Sequence, residues 1–474
     1  MPSKPLPTDA TGKATAIRIH SLAAPHMRNF HLSWLGFFIA FTSWFALSPL
    51  LKSTIGPALG LTESDIASSD IANVGSTVIF RLVVGFVTDR VGPRKAMAAI
   101  LVAGSIPLAL TGLVKNAGGL IAIRAAIGLL GATFVPCQYW TTAFFSRNIV
   151  GTSNAIVGGW GNMGGGATYL LMPHVYNAIL KTGLGANAWK VTLIVPTALC
   201  LLTAFICFTF GTDQPEQTLP IAATSDTDSD AEEIVVADPT SPKSEETNKK
   251  SIEAHTLSVT ATTIPATPES KTRAILRSLA TPTILILMLQ YACSFGVELA
   301  VDSQIGHYLQ KTFSGIDQTM AGNLGSIFGL MNFFARATGG VFSDLASKKY
   351  GIKGRIAVQA SLLLCNGICL MVFSYMNALP SAIAVMIFFS FFCEAACGST
   401  FGIVPYVAEG GMGAASGLVG AGGTIGGFVF NIIFKALVHT PRIGFRVMAG
   451  TVLVSAVCSV GMSVKGVYLL GRRK

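Results

Sequence analysis

Charge is what this chain has least of. Only 12% of its 474 residues are Asp, Glu, Lys or Arg, while 51% are hydrophobic; a soluble domain carries about 25% charged residues. A water-soluble globule is therefore excluded. The patterns that catalysis requires are missing too. No Cys or His group has zinc-site spacing, and no nucleophile–base constellation or phosphate-cradling glycine loop stands out. An enzyme, a metal centre and a bound cofactor are accordingly not expected. The first thirty residues lack the apolar core of a cleavable signal peptide, so none is expected. The nine cysteines (Cys137, Cys200, Cys207, Cys293, Cys365, Cys369, Cys393, Cys397 and Cys458) all fall within or at the edges of apolar stretches. They read as small packing residues rather than as disulfides.

What the chain does have is apolar length, repeated. Twelve stretches, at about 32–51, 68–87, 97–114, 119–138, 151–175, 191–210, 281–301, 319–341, 356–375, 380–401, 413–436 and 444–464, are predominantly apolar. Each approaches the ~20 residues that a helix needs to cross a bilayer core. The expectation is an all-α membrane protein of twelve transmembrane helices, with the glycine-rich fifth and eleventh the least apolar. Residues 211–270 hold 12 of the 23 acids and 3 of the 33 basic residues, leaving 30 basic against 11 acidic residues elsewhere. That excess sits in short loops and not on a soluble domain, so nucleic acid is not expected as a partner. The basic clusters are Asp89 to Lys95, Arg147, Lys348 with Lys349, Lys353 and Arg355, and Arg472 to Lys474. Twelve spans put all four on one side, which the positive-inside rule makes cytoplasmic, together with both termini.

Residues 211–275 break the apolar rhythm with Ser, Thr, Pro and acids (TSDTDSDAEE, SPKSEETNKK). Such a composition cannot bury a core and reads as a disordered cytoplasmic linker, whose hydroxyls offer a kinase or regulatory partner a target. It divides the chain into a tail (1–31), a six-helix bundle (32–210), the linker (211–275), a second six-helix bundle (276–468) and a basic tail (469–474). The two bundles are related. Gly131-Ala-Thr-Phe134-Val-Pro136 in the fourth span answers Gly398-Ser-Thr-Phe401 and Val404-Pro405 in the tenth, and Gly161-Asn162-Met-Gly164-Gly165 in the fifth answers Gly423-Thr424-Ile-Gly426-Gly427 in the eleventh. Membrane proteins built from repeats place substrate between the halves near the midplane and rock around it.

The most informative residues are two arginines inside apolar helices. Arg81-x3-Gly85-x3-Asp89 in the first half matches Arg336-x3-Gly340-x3-Asp344 in the second. A central arginine costs about 2.5–3.5 kcal/mol to insert, so it usually faces a cavity and meets a partner there. Asp89 and Asp344 lie eight residues on, about 12 Å along a helix axis, and belong at its cytoplasmic end. No acid is evident at the arginines' own depth, so a paired anion site is expected. A guanidinium is flat, weakly hydrated and forked, and suits a flat oxyanion better than an ammonium does.

The loop Gly85-x3-Asp89-Arg90-x-Gly92-Pro93-Arg94-Lys95 resembles the signature loop of the major facilitator superfamily, and Arg124-x3-Gly128 resembles a second motif of it. These are conformational devices there, in which the acid bonds a neighbouring helix end. AIVGGWGNMGGGATYLLMP (155–173) and GLVGAGGTIGG (417–427) resemble the paired nitrate signatures of its nitrate/nitrite porter family, and FFARATGG, FGVELAVD and FGIVPY are similar to segments of the eukaryotic members. The resemblance implies the major facilitator fold, two pseudo-symmetric six-helix bundles, and uptake of nitrate, commonly with nitrite, driven by protons. It also implies that Arg81 and Arg336 are the substrate arginines and that Tyr291 and Phe295 enclose the anion.

The spacing of Gly161, Gly165, Gly423 and Gly427 suits close helix packing first. In that neighbourhood Asn162 is the expected amide donor, with Gly164, Gly165 and Gly426 baring backbone near the anion and Thr424 standing where family members often carry asparagine. A negative-inside potential opposes nitrate entry by about 2.3 kcal/mol per 100 mV, so some group should carry protons. Glu298 leads the candidates, with Asp302 and His307 nearer the outer end of its span and Glu394 in the tenth. Nitrate/nitrite antiport, which needs no such group, and a non-transporting nitrate sensor signalling through the linker stay open as alternatives. The linker's hydroxyl-rich composition points to a plasma-membrane protein.

Overall fold

The computed structural model describes residues 6–215, 281–316, 318–408, 411–437 and 440–472. The expected linker from 216 onward, and the side chain of His307, lie outside the described residues. Among these residues the chain forms twelve long helical segments. The first six are α1 (His26–Trp44), α2 (Glu63–Val91), α3 (Pro93–Leu110), α4 (Ala117–Phe144), α5 (Val150–Ile179) and α6 (Ala188–Phe210). After the linker, α7 comes in two pieces (Pro282–Ala292 and Phe295–Thr312), as does α8 (Gln318–Leu330 and Ala335–Tyr350). Then follow α9 (Ile352–Phe373), α10 (Leu379–Val407), α11 (Met412–Ala436) and α12 (Pro441–Cys458). Ten of the helices are long and apolar enough to cross a membrane. The two that fall short are α5, diluted by glycine, and α8, which carries Arg336 and Asp344. The eleventh, expected among the weakest, is apolar enough.

Local chemistry sets the boundaries. Thr62 and Asp65 form a reciprocal capping box at the start of α2, with Asp65 accepting from the Thr62 amide at 2.9 Å. Gly92, at φ +87°, ends α2, and Pro93 opens α3. Glycine tolerates that backbone and proline lacks only a donor that would be orphaned anyway, so the basic loop makes a sharp reversal.

The halves meet along α2 with α11 and along α5 with α8 and α10. Glycine makes the approach possible. A side chain at Gly85 would enter the Gly413 backbone, one at Gly340 the Gly151 backbone, and one at Gly417 the backbone of Arg81. Carboxylates then lock these contacts at one end of the bundle. Asp89 accepts from the Gly413 and Ala414 amides, both at 2.8 Å, at the start of α11. Asp344 accepts from the Gly151 amide at 3.1 Å and the Thr152 amide at 2.6 Å, at the start of α5, and pairs with Arg355 at 2.7 Å. Each half thus supplies an anion to a helix N-terminus of the other, where aligned peptide dipoles favour it.

Both ends of the described chain are more ordered than a pair of tails. The Ala14 amide donates to the Phe144 carbonyl and the Ser146 amide to the Ala14 carbonyl, each at 2.9 Å, so residues 7–15 strap the α4–α5 loop. Lys13 Nζ donates to the Thr142 carbonyl at 2.9 Å, and burial pulls its ammonium below the usual lysine range against the raising effect of Asp9. After α12, where a basic tail from 469 is expected, strands β1 (Ser463–Val464), β2 (Val467–Tyr468) and β3 (Gly471–Arg472) form an antiparallel meander. Its first turn holds Lys465 and Gly466, both at positive φ, as a two-residue hairpin requires.

Within the second half, a methyl at Gly339 would strike the Ala395 carbonyl and one at Gly398 the Arg336 carbonyl, whereas Gly450 on α12 faces open space. Overpacking costs about 1–3 kcal/mol. Gly339→Ala and Gly398→Ala should each lower the unfolding temperature of the purified protein, and Gly450→Ala should not; thermal unfolding in detergent checks this.

Candidate functional site

Three helices are irregular where they pass the centre. Residues Gly128–Thr133 of α4 tighten to a 3-10 turn, α7 is interrupted at Cys293 and Ser294, and α8 breaks at Met331–Phe333. Breaks of this kind occur in membranes only where protein or a cavity meets the freed backbone groups. Here Arg81 does so. Its Nε donates to the Gly131 carbonyl at 3.0 Å and its Nη1 to the Gly420 carbonyl at 2.7 Å. Arg81 is fully buried, and among the described residues its Nη2 has no partner and no carboxylate lies within ion-pair distance.

Aromatic rings fill the space beside it. Tyr291 and Phe295 stack at 5.2 Å and 8°, and Phe134 lies parallel to Tyr291 at 5.9 Å. The Arg81 guanidinium lies 5.1 Å from the Phe134 ring centre and 4.9 Å from that of Phe295, while the Arg336 guanidinium lies 5.8 Å from the same Phe295 ring. Phe295 therefore stands against both cations, and an aromatic face partly offsets each charge.

Arg336 has an entirely different environment. Its Nη2 donates to Glu298 Oε2 at 2.5 Å and to Glu394 Oε2 at 3.1 Å. With the Asn162 amide turned to suit its neighbours, its oxygen faces the guanidinium and accepts from the same nitrogen at 2.7 Å. Asn332, in the break of α8, donates from Nδ2 to Glu298 Oε1 at 2.8 Å, and the Cys397 thiol lies 3.8 Å from Glu298 Oε2. The expectation that no acid lies at the arginines' depth is therefore wrong for Arg336. Glu298 stands 38 residues before it and Glu394 58 after it, on two other helices. No spacing in the sequence could have joined them.

The other expected site residues separate into two groups. Asn162, Tyr291, Phe295, Glu298 and Glu394 meet the arginines. Thr424 sits beside Arg81, but its hydroxyl donates back to the Gly420 carbonyl at 3.0 Å. Asn162 likewise offers Arg336 its oxygen, where an amide donor toward the anion is the sequence expectation. Gly164 faces the Phe38 carbonyl, Gly165 the Phe45 ring, and Gly426 the Ala292 backbone, so all three pack helices away from the guanidiniums. The glycines that touch the arginines are Gly131, Gly158, Gly159, Gly398, Gly417 and Gly420. Four of them lie in the two glycine-rich runs, at other positions than those expected, and Gly131 and Gly398 lie in the matching segments of the fourth and tenth spans. Asp302 is one turn past Glu298, close to Gly329 of α8. Of the conformational motif, Gly85 and Asp89 hold the inter-half contact, Arg90 and Lys95 are exposed, and Arg94 pairs with Asp213 at 3.3 Å, beside Gly92. Arg124 pairs with Asp70 at 2.5 Å, within the first half.

Glu298, Glu394 and Cys397 bring three metal-ligating atoms within 4.8 Å of one another. The Arg336 guanidinium already serves as the cation there, so the cluster is an ion-pair network and not a metal site.

The sequence model of the Major Facilitator Superfamily matches residues 33–431. The chain belongs to the Major Facilitator Superfamily. Its members are membrane transporters and not enzymes, and this chain, whose relatives are named nitrate transporters and nitrate/nitrite transporters, is a multi-pass member of the nitrate/nitrite porter branch. It is 36% identical to the High affinity nitrate transporter 2.5 of Arabidopsis thaliana over 96% of this chain and 82% of that one. It is 37% identical to Nitrate transporter 2.1 of Chlamydomonas reinhardtii, over 91% of this chain and 72% of the relative. The fold is shared with the proton:xylose symporter XylE, at a TM-score of 0.62 and 12% identity over 91% of this chain and 94% of that one. The E. coli transporter FucP in its outward conformation is similar too, at a TM-score of 0.58 and 15% identity, covering 90% and 97%.

Removing one partner of a buried ion pair costs about 3–5 kcal/mol, because the other charge is left uncompensated. Arg336→Leu alone should therefore lower the unfolding temperature sharply. Adding Glu298→Gln and Glu394→Gln to it should restore most of that stability without restoring transport; calorimetry beside an uptake assay checks both halves of the statement.

Proposed function

We propose that this protein carries nitrate, and nitrite as a second substrate, across the plasma membrane together with protons, by alternating access around Arg81 and Arg336. The names of its relatives support the substrate. The observation that carries the site is the pair of buried groups without partners beside Arg81: its own Nη2 and the Tyr291 hydroxyl. A buried donor left unpaired costs about 1–3 kcal/mol, and an oxyanion would satisfy both while lying against the ring stack. Arg81, held by carbonyls and free of carboxylate, is then the standing anion site, and Arg336 closes on the anion from the other half.

Charge supplies the reason for protons. With both carboxylates ionised, the two arginines are balanced by Glu298 and Glu394. An entering nitrate would add a net negative charge in a medium of low dielectric, and one proton on the carboxylate pair cancels it. A second proton lets the membrane potential drive uptake. Exchange of nitrate for nitrite would need neither carboxylate, so the buried acids favour symport. The face carrying the basic loops, the strap and the root of the linker is the cytoplasmic one on this reading, and the Asp89 and Asp344 contacts hold it closed while the other face admits substrate. The linker is then a cytoplasmic target for a kinase or regulatory partner.

The test is expression in a host unable to take up nitrate, with current and cytosolic pH recorded on nitrate addition. Cytosolic acidification on nitrate entry is the expected result, without net current where one proton accompanies each nitrate and with inward current where two do; uptake that depends on internal nitrite and brings no acidification would replace symport with exchange, and binding without uptake would make the protein a sensor. Arg81→Lys and Arg336→Lys keep the charge but lose the fork. Each should raise the nitrate KM at least about tenfold, the equivalent of roughly 1.4 kcal/mol, and wild-type affinity in both would sink the two-arginine site.

A further inference from the structure

The two carboxylates at Arg336 are not equivalent, and their difference points to a division of labour. We infer that Glu394 is the group that takes up the transported proton, that Glu298 is the permanent counter-ion of Arg336, and that Asn332 is the positioning residue that keeps them so. This rests on the symport reading above.

The argument is a count of donors. Glu298 accepts from Arg336 at 2.5 Å through Oε2 and from Asn332 at 2.8 Å through Oε1, with the Cys397 thiol at 3.8 Å. Both of its oxygens are answered, so its charged form is supported from two helices. Glu394 accepts only the longer bond from Arg336, 3.1 Å, through Oε2. Its Oε1 has no partner among the described residues, and the residue is fully buried. A desolvated carboxylate oxygen without a donor is the costly atom of this network. Protonating Glu394 there lowers the cost, because a neutral carboxyl is far cheaper to hold away from water than a carboxylate.

The charged and titratable groups facing Glu394 are Arg336 from α8, Glu298 and Asp302 from α7, and Cys393 and Cys397 from its own helix. The α5 helix brings the uncharged amide of Asn162 to Arg336, and α9 presents Arg355 to α10 at Gly402 and over the Tyr406 ring, two turns or more away, where Arg355 is paired with Asp344. A proton arriving from the open side converts the Glu394 carboxylate to the acid. Arg336 then keeps one carboxylate partner, its spare hydrogen-bonding capacity turns to the anion, and proton and anion leave together when the other face opens, restoring the carboxylate. Asn332 prevents the proton from settling on Glu298, which would free Arg336 from its fixed place.

The experiment uses the full chain reconstituted in vesicles, with an internal pH dye and labelled nitrate. Wild type should acidify the lumen as nitrate enters. Glu394→Gln, which mimics the protonated acid, should slow but not abolish nitrate–nitrate exchange, lose accumulation driven by a pH gradient, and show an exchange rate flat with pH. Glu298→Gln should instead raise the nitrate KM for exchange about tenfold while exchange stays pH-dependent. Asn332→Leu should make the nitrate KM for exchange rise as pH falls, approaching the roughly tenfold increase of Glu298→Gln, since the proton then settles on Glu298 as well. A purely structural asparagine would not move the pH profile. An infrared band of a protonated carboxyl, gained by wild type on nitrate binding, should vanish in Glu394→Gln and shift in Glu394→Asp. Retained proton-driven accumulation in Glu394→Gln, or an infrared band lost instead in Glu298→Gln, overturns the assignment while leaving symport intact. Nitrate entry by wild type with no acidification overturns symport itself.

Discussion

A guanidinium sealed away from both water and lipid headgroups must be answered by acceptors at every donor it can reach, and this fold buries two of them side by side. Most of the irregular features near the centre follow from that demand. The 3-10 turn of α4 frees the Gly131 carbonyl for Arg81, and the glycines of α11 let the Gly420 carbonyl come close enough to complete the pair. The break in α8 sets Asn332 where it can hold Glu298, and Glu298 in turn holds Arg336. Each backbone departure would be costly alone in a membrane. Together they are what allows the cations to be there.

The repeat is symmetric where its halves lock together and asymmetric around the two central arginines. Asp89 on the start of α11 and Asp344 on the start of α5 are the same device applied in opposite directions. At the centre the partners diverge: carbonyls and rings for Arg81, carboxylates and an amide for Arg336. On the proposed reading, one fixed and one neutralisable cation give binding that can be turned on by a proton and off again.

Much of this was legible in order along the chain. Twelve apolar stretches, the halving at the acidic segment, and the matching Arg-x3-Gly-x3-Asp registers are all local or periodic patterns, and helix geometry converts them directly into depth and end. Depth was right for Asp89 and Asp344 because eight residues fix a rise. It misled for Arg336 because acids at the same depth stood on α7 and α10, and Glu298 and Glu394 each looked like a separate buried acid. The glycine runs showed close packing, but Gly164, Gly165 and Gly426 turn toward α1 and α7 while Gly158, Gly159 and Gly420 turn toward the arginines. Which face a glycine presents depends on how the helix is rotated in the bundle. Trp140 is buried and donates to the Thr212 carbonyl at 2.7 Å, since the chain beyond α6 folds back over it.

By itself, then, the sequence determined the bilayer as solvent, the number and order of the helices, the duplication, and the presence of two cations at one level. Those properties depend on composition and on separations along one helix. Only the tertiary structure decided that Arg336 is paired and Arg81 is not, that one phenylalanine ring faces both, and that a carboxylate oxygen of Glu394 is left without a donor. Those properties depend on distances between helices far apart in the chain, and such distances exist only once the bundle has packed.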